Sequence, residues 1–278
     1  MKFTKMHGIG NDYIYVNGIQ ESIADPSQFA INYSDRHKGI GSDGLVIILP
    51  SDICDFRMQM FNADGSESEM CGNASRCIGK FVYDKGLTTK TDISLETLAG
   101  TKYLKLHLGS DGKVEKVTVD MGEPILNGLD IPTTFDTKSV INIPVKISQE
   151  IEEHITCVSM GNPHAVIFKE SIDNLDLTKI GPIFENASIF PRRTNTEFIQ
   201  LISSDLIKMR VWERGSGETM ACGTGACASV VACVLNGFTN RQCTVELLGG
   251  NLYIDWNEKD NHVYMTGEAS TVFEGEIT

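Results

Sequence analysis

Two cysteines stand where a thiol could exchange a proton with a substrate. Cys71 precedes Gly72-Asn73 and Cys222 precedes Gly223-Thr224, and a stretch with apolar residues at helical spacing follows each pair. A thiol at the N-terminus of a helix meets backbone N–H groups and the positive end of the helix dipole, which predicts a lowered thiol pKa. The same N–H groups can hold a carboxylate. Each segment therefore predicts one reactive sulfur beside one anion-binding backbone.

A pair of such segments facing one substrate would suit the inversion of a stereocentre. One thiolate would remove the proton from an α-carbon while the opposite thiol delivers a proton to the other face. The helix N-termini would stabilise the negative charge that develops on the substrate carboxylate. This chemistry needs no cofactor and no metal, and we predict neither.

The chain repeats itself at an offset of 150 to 151 residues. The matched segments are Gly10-Asn11 with Gly161-Asn162, Cys71-Gly72 with Cys222-Gly223, and residues 95–100 with residues 245–250. Three matches in the same order predict two copies of one fold, although short matches also arise by chance.

Each half has the pattern of a strand, a turn, a Cys-Gly pair and a helix. The alternation over 55–62 and 207–212 predicts strands, and the apolar spacing over 74–83 and 226–235 predicts one long helix per half. Strand hairpins follow, at 93–108 and 114–120 and again at 243–256 and 262–266. We therefore predict an α/β (α+β) fold of two pseudo-symmetric domains that arose by internal duplication. Each would be a mostly antiparallel, curved sheet wrapped around a central helix, with the boundary near residue 122.

Composition excludes several classes of protein. The 278 residues carry 24 Lys and Arg against 37 Asp and Glu, and a net charge of −13 disfavours nucleic-acid binding. No apolar run is long enough to cross a membrane, and the first residues lack a secretory h-region. Eight cysteines without a Cys-x-x-Cys pair disfavour zinc and favour reduced thiols in the cytoplasm. We expect the other six in the core: Cys54, Cys77, Cys157, Cys227, Cys233 and Cys243.

Six motifs in order resemble those of the diaminopimelate epimerases, cofactor-independent two-cysteine enzymes of lysine and peptidoglycan precursor synthesis. They are residues 5–12 (KMHGIGND), 61–66 (FNADGS), 71–73 (CGN), 159–164 (SMGNPH), 213–219 (ERGSGET) and 221–227 (ACGTGAC). The resemblance covers nearly the whole chain. It implies that residues 268–278 return to the first domain, so that the domains comprise residues 1–122 with 268–278, and residues 123–267.

The resemblance also implies roles for individual residues. Cys71 and Cys222 would be the acid and the base, which exchange roles with the direction of reaction. His164 and Glu213 would assist the catalysis. The residues that would bind the substrate are Asn11, Asn62, Gly72, Asn73, Asn162, Asn195, Glu213, Arg214, Gly223 and Thr224. The activity implied is the interconversion of LL- and meso-2,6-diaminopimelate, by a homodimer.

Two positions depart from the pattern of the family. Gly44 stands where many members carry a Gln that contacts substrate, and Phe273 stands where a dimer-interface Tyr is common. Neither change removes the proposed proton transfer.

Two other functions stay open from the sequence. One is a different cofactor-independent racemase on the same scaffold, acting on histidine or proline, which would not need the polar residues 62, 195, 213 and 214. The other is a non-catalytic redox sensor, in which Cys71 and Cys222 close into a disulfide.

Overall fold

The chain forms two compact units in a computed structural model that describes residues 1–277. One unit comprises Met1–Asp120 with the chain from Thr266 onward, and the other comprises Met121–Met265. Both are built mainly from strands, so the predicted mixed α/β class is confirmed. That the two units arose by duplication stays a prediction.

The first unit begins with a strand hairpin and places its long helix after a short fifth strand. Its elements are β1 (Lys2–Gly8), β2 (Asn11–Asn17), α1 (Pro26–Ser34), β3 (Gly44–Leu49), β4 (Phe56–Asn62), β5 (Glu67–Ser68), α2 (Gly72–Asp84), β6 (Asp92–Thr97), β7 (Gly100–Leu108) and β8 (Val114–Asp120). The pairs β1–β2, β3–β4, β4–β5, β6–β7 and β7–β8 are antiparallel, whereas β2–β3 and β4–β6 are parallel. Parallel pairing buries β3 on both faces, and its sequence GLVIIL is accordingly apolar throughout.

The second unit repeats this order of pairing. Its elements are β9 (Val140–Lys146), β10 (Glu152–Ser159), β11 (Pro163–Phe168), α3 (Leu177–Glu185), β12 (Asn195–Ser203), β13 (Leu206–Glu213), β14 (Gly217–Glu218), α4 (Gly223–Leu235), β15 (Gln242–Leu247) and β16 (Gly250–Trp256). The pairs β11–β12 and β13–β15 are parallel, and the pairs β10–β11, β12–β13, β13–β14 and β15–β16 are antiparallel. The register also repeats. Ile14 pairs with Leu45, and the residues 151 positions later, Ala165 and Thr196, pair with each other.

The last two strands follow at the end of the chain. The division between the units falls within β17 (Val263–Glu268), and β18 (Ser270–Glu276) pairs antiparallel with β1 in the first unit. This pairing joins the two ends of the chain into the sheet of one unit.

The predicted long helices are present, but each unit also contains a short helix that the sequence reasoning missed. Helix α1 begins after Asp25, whose carboxylate accepts a hydrogen bond from the amide of Gln28, and α3 contains an internal proline, Pro182. Nine residues give too few turns for a clear apolar period, so the pattern predicted only the one long helix of each half. Among residues 1–277, no helix is both long and apolar enough to cross a membrane.

Five of the six cysteines expected in the core are buried. Cys54 is the exception, because it lies in the loop before β4, is partly exposed and has its sulfur 3.5 Å from the Thr101 hydroxyl. All eight cysteines lie within the described residues and are present as thiols.

Buried Cys77 gives the fold a predictable sensitivity to alkaline pH. Burial in α2 raises the pKa of its thiol to about 11, from 9.0. Between these values the unfolded chain loses the proton while the folded chain keeps it, so the free energy of unfolding falls as the pH rises. We expect Cys77 to contribute at most about 1.4 kcal/mol per pH unit to this fall. Urea denaturation from pH 8 to 10.5 should therefore give a flatter slope for Cys77→Ala than for Cys54→Ala, and equal slopes would contradict the assignment.

Candidate active site

Cys71 occupies the position that its sequence context predicts, at the N-terminus of a helix. It is the N-cap of α2, and its sulfur accepts a hydrogen bond from the amide of Ala74 at 3.5 Å. The thiol in turn donates to Oδ1 of Asn11 at 3.4 Å. The sulfur therefore lies between the first turn of α2 and the start of β2.

The amide of Asn11 is held in one orientation by a carboxylate. Its Nδ2 donates to Oδ2 of Asp43 at 2.8 Å, which turns Oδ1 toward Cys71 and toward the Nδ2 of Asn73. Arg36 binds the other oxygen of Asp43 at 2.9 Å. Asp43 was not among the predicted site residues, and its only signal in the sequence is its place just before a buried strand.

The remaining predicted residues of the first unit are Gly72 and Asn73, which follow this cysteine, and Asn62. Gly72 and Asn73 are the first residues of α2 and both are buried, and Oδ1 of Asn73 accepts from Nη1 of Arg76 at 2.9 Å. Asn62, at the end of β4, donates to the hydroxyl of Ser66 at 3.0 Å. Asn62 thus closes the turn that follows β4.

Gly44 cannot carry a side chain with the backbone as it stands. A Cβ at this position would lie 2.0 Å from the carbonyl oxygen of Phe61 on the neighbouring strand, and φ is +158°. The glycine therefore permits a close approach of β3 and β4. The departure from the family pattern at position 44 is built into the backbone.

Cys222 occupies the equivalent position in the second unit, as the N-cap of α4. Its sulfur lies 3.6 Å from the hydroxyl of Thr224, and its thiol interacts with the carboxyl group of Glu213. Gly223, the first residue of the helix, is buried.

The expected lowering of the thiol pKa is wrong for Cys222. Burial raises the pKa of this thiol well above its ordinary value, and the nearby carboxylates of Glu213 and Glu197 raise it further. The dipole of a helix N-terminus is therefore outweighed here by the loss of water and by two acidic neighbours. Sequence spacing located the helix terminus but could not show the carboxylates.

Glu213 ends β13 and faces Cys222. Burial raises the pKa of its carboxyl group, while hydrogen bonds from the hydroxyl of Thr219 and from the Cys222 thiol act in the opposite direction. A carboxylate whose pKa is raised in this way is a better proton acceptor than an exposed one.

His164 is fully buried and lies between two acceptors. Its Nδ1 is 2.6 Å from Oε1 of Glu197, and its Nε2 is 3.0 Å from Oδ1 of Asn162. Glu197 is also fully buried, at 0% exposure. The sequence reasoning did not single out Glu197, although an acidic residue within the strand sequence NTEFIQLIS is a signal that was available.

Gly225 allows Glu197 and Cys222 to approach the same turn of α4. A Cβ on this glycine would lie 2.7 Å from Oε1 of Glu197 and 3.2 Å from the sulfur of Cys222. Both groups therefore line one small volume at the N-terminus of the helix, which only a glycine leaves open.

Asn195 begins β12, and Arg214 lies in the turn after β13. The amide of Asn195 is buried; it donates to the carbonyl of Pro163 at 3.1 Å and accepts from the backbone N–H of Arg214 at 2.7 Å. The Arg214 guanidinium donates to the carbonyl of Arg192 at 2.9 Å. Asn195 thus fixes the backbone from which Arg214 projects.

Phe273 lies on β18, where its ring packs edge-on against Phe3 with 5.9 Å between centroids. The residue is 44% exposed. Among residues 1–277, no group of three His, Cys, Asp or Glu side chains is placed to hold a metal ion.

Comparison with known proteins identifies one family over most of the chain. The diaminopimelate epimerase family model matches residues 3–127 and 156–272. The chain is 59% identical to the diaminopimelate epimerase of Methanococcus maripaludis strain C5 over 277 residues, covering 100% of this chain and 99% of that protein. It is 60% identical to that of Desulfovibrio desulfuricans, covering 99% and 98%.

Solved structures share the fold at low sequence identity. A Bacillus anthracis phenazine biosynthesis protein of the PhzF family superposes with a TM-score of 0.72 at 16% identity, covering 100% of this chain and 99% of that one. The similarity at this level concerns the fold alone.

Proposed function

The chain belongs to the diaminopimelate epimerase family, and from that premise we propose that Cys71 and Cys222 are the two groups that exchange protons with the α-carbon of diaminopimelate. As a member of this family the protein is an isomerase of lysine biosynthesis. The reaction proposed is the interconversion of the LL and meso isomers. The observation that carries the proposal is that each unit places one thiol at the N-cap of its long helix.

The two thiols have different neighbours, which suits opposite roles at the start of a turnover. Cys222 lies beside the carboxylate of Glu213, which raises the pKa of the thiol and so favours its protonated form. Cys71 faces the neutral amide of Asn11. In one direction Cys71 takes the α-proton and Cys222 delivers one, and the roles exchange in the reverse direction.

The first turns of α2 and α4 supply donors for the substrate carboxylate. We propose that the N–H groups of Gly72 and Asn73 and those of Gly223 and Thr224 bind the carboxylate attached to the reacting carbon. The first N–H groups of a helix have no acceptor in a preceding turn, and the helix dipole favours negative charge there. The charge that develops as the α-proton leaves is stabilised by the same donors.

The second amino acid group of diaminopimelate needs a different set of partners. We propose that Arg214 binds the distal carboxylate, because a guanidinium can form two parallel hydrogen bonds to it. Asn62 and Asn162 supply amide groups that can accept from an ammonium without adding charge. Asn195 acts through the backbone of Arg214, to which it is hydrogen-bonded.

A panel of substrates tests this proposal. Purified, reduced protein should convert LL-diaminopimelate to the meso isomer and leave L-proline and L-histidine unchanged, as followed by NMR or chiral chromatography. Racemisation of proline or histidine instead would favour a different racemase. Inactivity on all three, with a reversible Cys71–Cys222 disulfide, would favour the redox sensor.

Asp43 provides a prediction for the first unit. Replacing Asp43 by Ala removes the acceptor that holds Nδ2 of Asn11, so the amide can rotate and present a donor instead of an acceptor to Cys71. We expect kcat to fall about tenfold, which corresponds to about 1.4 kcal/mol, the free energy of one pKa unit. Steady-state kinetics would measure it, with Asp35→Ala, at the exposed end of α1, as the matched control. An unchanged kcat would show that the orientation of Asn11 does not matter.

We also propose that the protein is a cytoplasmic homodimer. The exposed ring of Phe273 stands where the family pattern has an interface tyrosine, and eight thiols suit a reducing compartment. Light scattering coupled to gel filtration should give twice the mass of the 30.5 kDa chain. A monomer that shifts to no larger species on concentration would contradict this.

A further inference from the structure

A buried carboxylate beside His164 is left without a role in the reaction described above. Glu197 and His164 both have 0% exposure, and their side chains are 2.6 Å apart. Burying a charged or polar pair costs free energy that a pair of apolar side chains would not cost. The pair therefore calls for an explanation beyond packing.

The repeated register shows how unusual this pair is. Glu197 pairs with Val166 across β11 and β12, just as Val46 pairs with Tyr15 across β2 and β3. The first unit thus has an apolar valine where the second has Glu197. Tyr13 stands 151 residues before His164. Since the same backbone arrangement is stable with Val46, the fold does not require a carboxylate at this place.

Hydrogen bonding defines what the carboxylate does to the ring. A carboxylate can only accept, so Nδ1 of His164 must carry the proton between it and Oε1 of Glu197. The other oxygen, Oε2, is buried and has no hydrogen-bond partner among the described residues. The interaction with His164 is thus the one hydrogen bond that the Glu197 side chain makes within residues 1–277.

We propose that Glu197 is the positioning residue of His164: it keeps the proton on Nδ1 and so makes Nε2 the nitrogen that gains and loses a proton during the reaction. Nε2 faces Asn162, a residue proposed to contact the substrate. A carboxylate that fixes the tautomer of an imidazole in this way is known from other acid–base sites. The inference rests on the proposed function for its catalytic consequence, but not for the tautomer.

The surroundings of His164 bring several ionisable groups together. Glu213 on β13 and Cys222 at the N-terminus of α4 interact with Glu197 or with His164, and Cys157 on β10 lies near Glu197. A ring with Nδ1 protonated presents a donor, not an acceptor, to Glu197. The tautomer therefore determines that Nε2, on the side of Asn162, is the nitrogen that can take a proton.

The direct test is ¹⁵N NMR of the wild-type protein labelled on histidine, without substrate, from pH 6 to 9. His164→Gln identifies the resonances. We expect the Nδ1 shift of His164 to remain that of a protonated nitrogen throughout, while any titration occurs at Nε2. Loss of the proton from Nδ1 in the neutral ring would overturn the proposal, whether or not the protein turns over diaminopimelate.

Variants separate positioning from packing. Glu197→Gln keeps the size of the side chain but can offer either a donor or an acceptor to Nδ1, so we expect a mixture of tautomers. We expect kcat to fall by at least about tenfold with a much smaller change in KM. Glu153→Gln is the matched control, because Glu153, near the start of β10, forms its ion pair with Lys169. Unchanged kcat and tautomer in Glu197→Gln would overturn the proposal.

A double-mutant cycle tests whether Glu197 acts through His164. In a His164→Gln background, Glu197→Gln should have no further effect on kcat, because its target is absent. Independent, additive losses would show that Glu197 acts elsewhere and would contradict the proposal. If Glu197→Gln does not fold, the NMR measurement on the wild type still decides it.

Discussion

Replacing either Cys71 or Cys222 by Ala should reduce the conversion of LL- to meso-diaminopimelate by at least about a thousandfold, which is within the range that a positioned acid or base contributes. In the proposed mechanism each variant keeps one thiol but lacks the group that would serve the opposite face of the α-carbon. Because every turnover needs both a removal and a delivery, the loss should be similar for the two variants. Steady-state kinetics in both directions would measure it.

The other thiols on the same two helices provide matched controls. Cys77 lies in α2 and Cys227 in α4, and both are buried away from the helix N-termini. Cys77→Ala and Cys227→Ala should retain kcat within about threefold once the variants are shown to be folded, since ordinary core substitutions act on stability. A Cys71→Ala or Cys222→Ala protein that is as active as these controls would contradict a two-thiol mechanism.

The substitution Glu213→Gln should lower kcat/KM by about a hundredfold, as expected for the loss of one proton acceptor. Glu213 interacts with the thiol of Cys222 and is buried, so we propose that its carboxylate receives the thiol proton. An amide is far less basic and cannot do this. An enzyme does not change the equilibrium between its substrates, so kcat/KM must fall by the same factor in both directions.

Dependence on pH adds a second readout for Glu213. Burial raises the pKa of this carboxyl group above 4.5, so activity should decline on the acid side at a higher pH than an ordinary glutamate would give. The decline should disappear in Glu213→Gln. Glu218→Gln is the matched control, because this nearby carboxylate is bound to Arg210 at 2.7 Å. An acid limb that persists in Glu213→Gln would assign it to another group.

Apolar periodicity and turn residues were sufficient to predict the two long helices and the strands on either side of them. Helix α4 is apolar on every side and is therefore buried, which its sequence shows directly. The short helices were not predictable in the same way, because α1 depends on a cap at Asp25 and α3 continues past Pro182. Their stability comes from local capping and tertiary packing, which a periodic pattern does not register.

The site shows the same division between what spacing reveals and what the fold adds. The position of Cys71 and Cys222 at helix N-termini follows from the Cys-Gly pattern alone. The raised pKa of Cys222 does not follow from it, because the carboxylates that raise this pKa further come from β12 and β13. Asp43 and Glu197 escaped notice for the same reason, since each acts on a residue that is distant in sequence.

The most direct test of the central claim uses the wild-type protein, LL-diaminopimelate and D₂O, with isotope positions read by NMR and mass spectrometry at low conversion. A thiol exchanges its proton with solvent, so a two-thiol reaction delivers deuterium while a different group removes protium. The account predicts that the first meso product carries deuterium at the inverted carbon while the remaining LL substrate carries only protium. Deuterium appearing equally in the remaining substrate and the product, or protium retained in the product, would indicate a single base and would contradict the account.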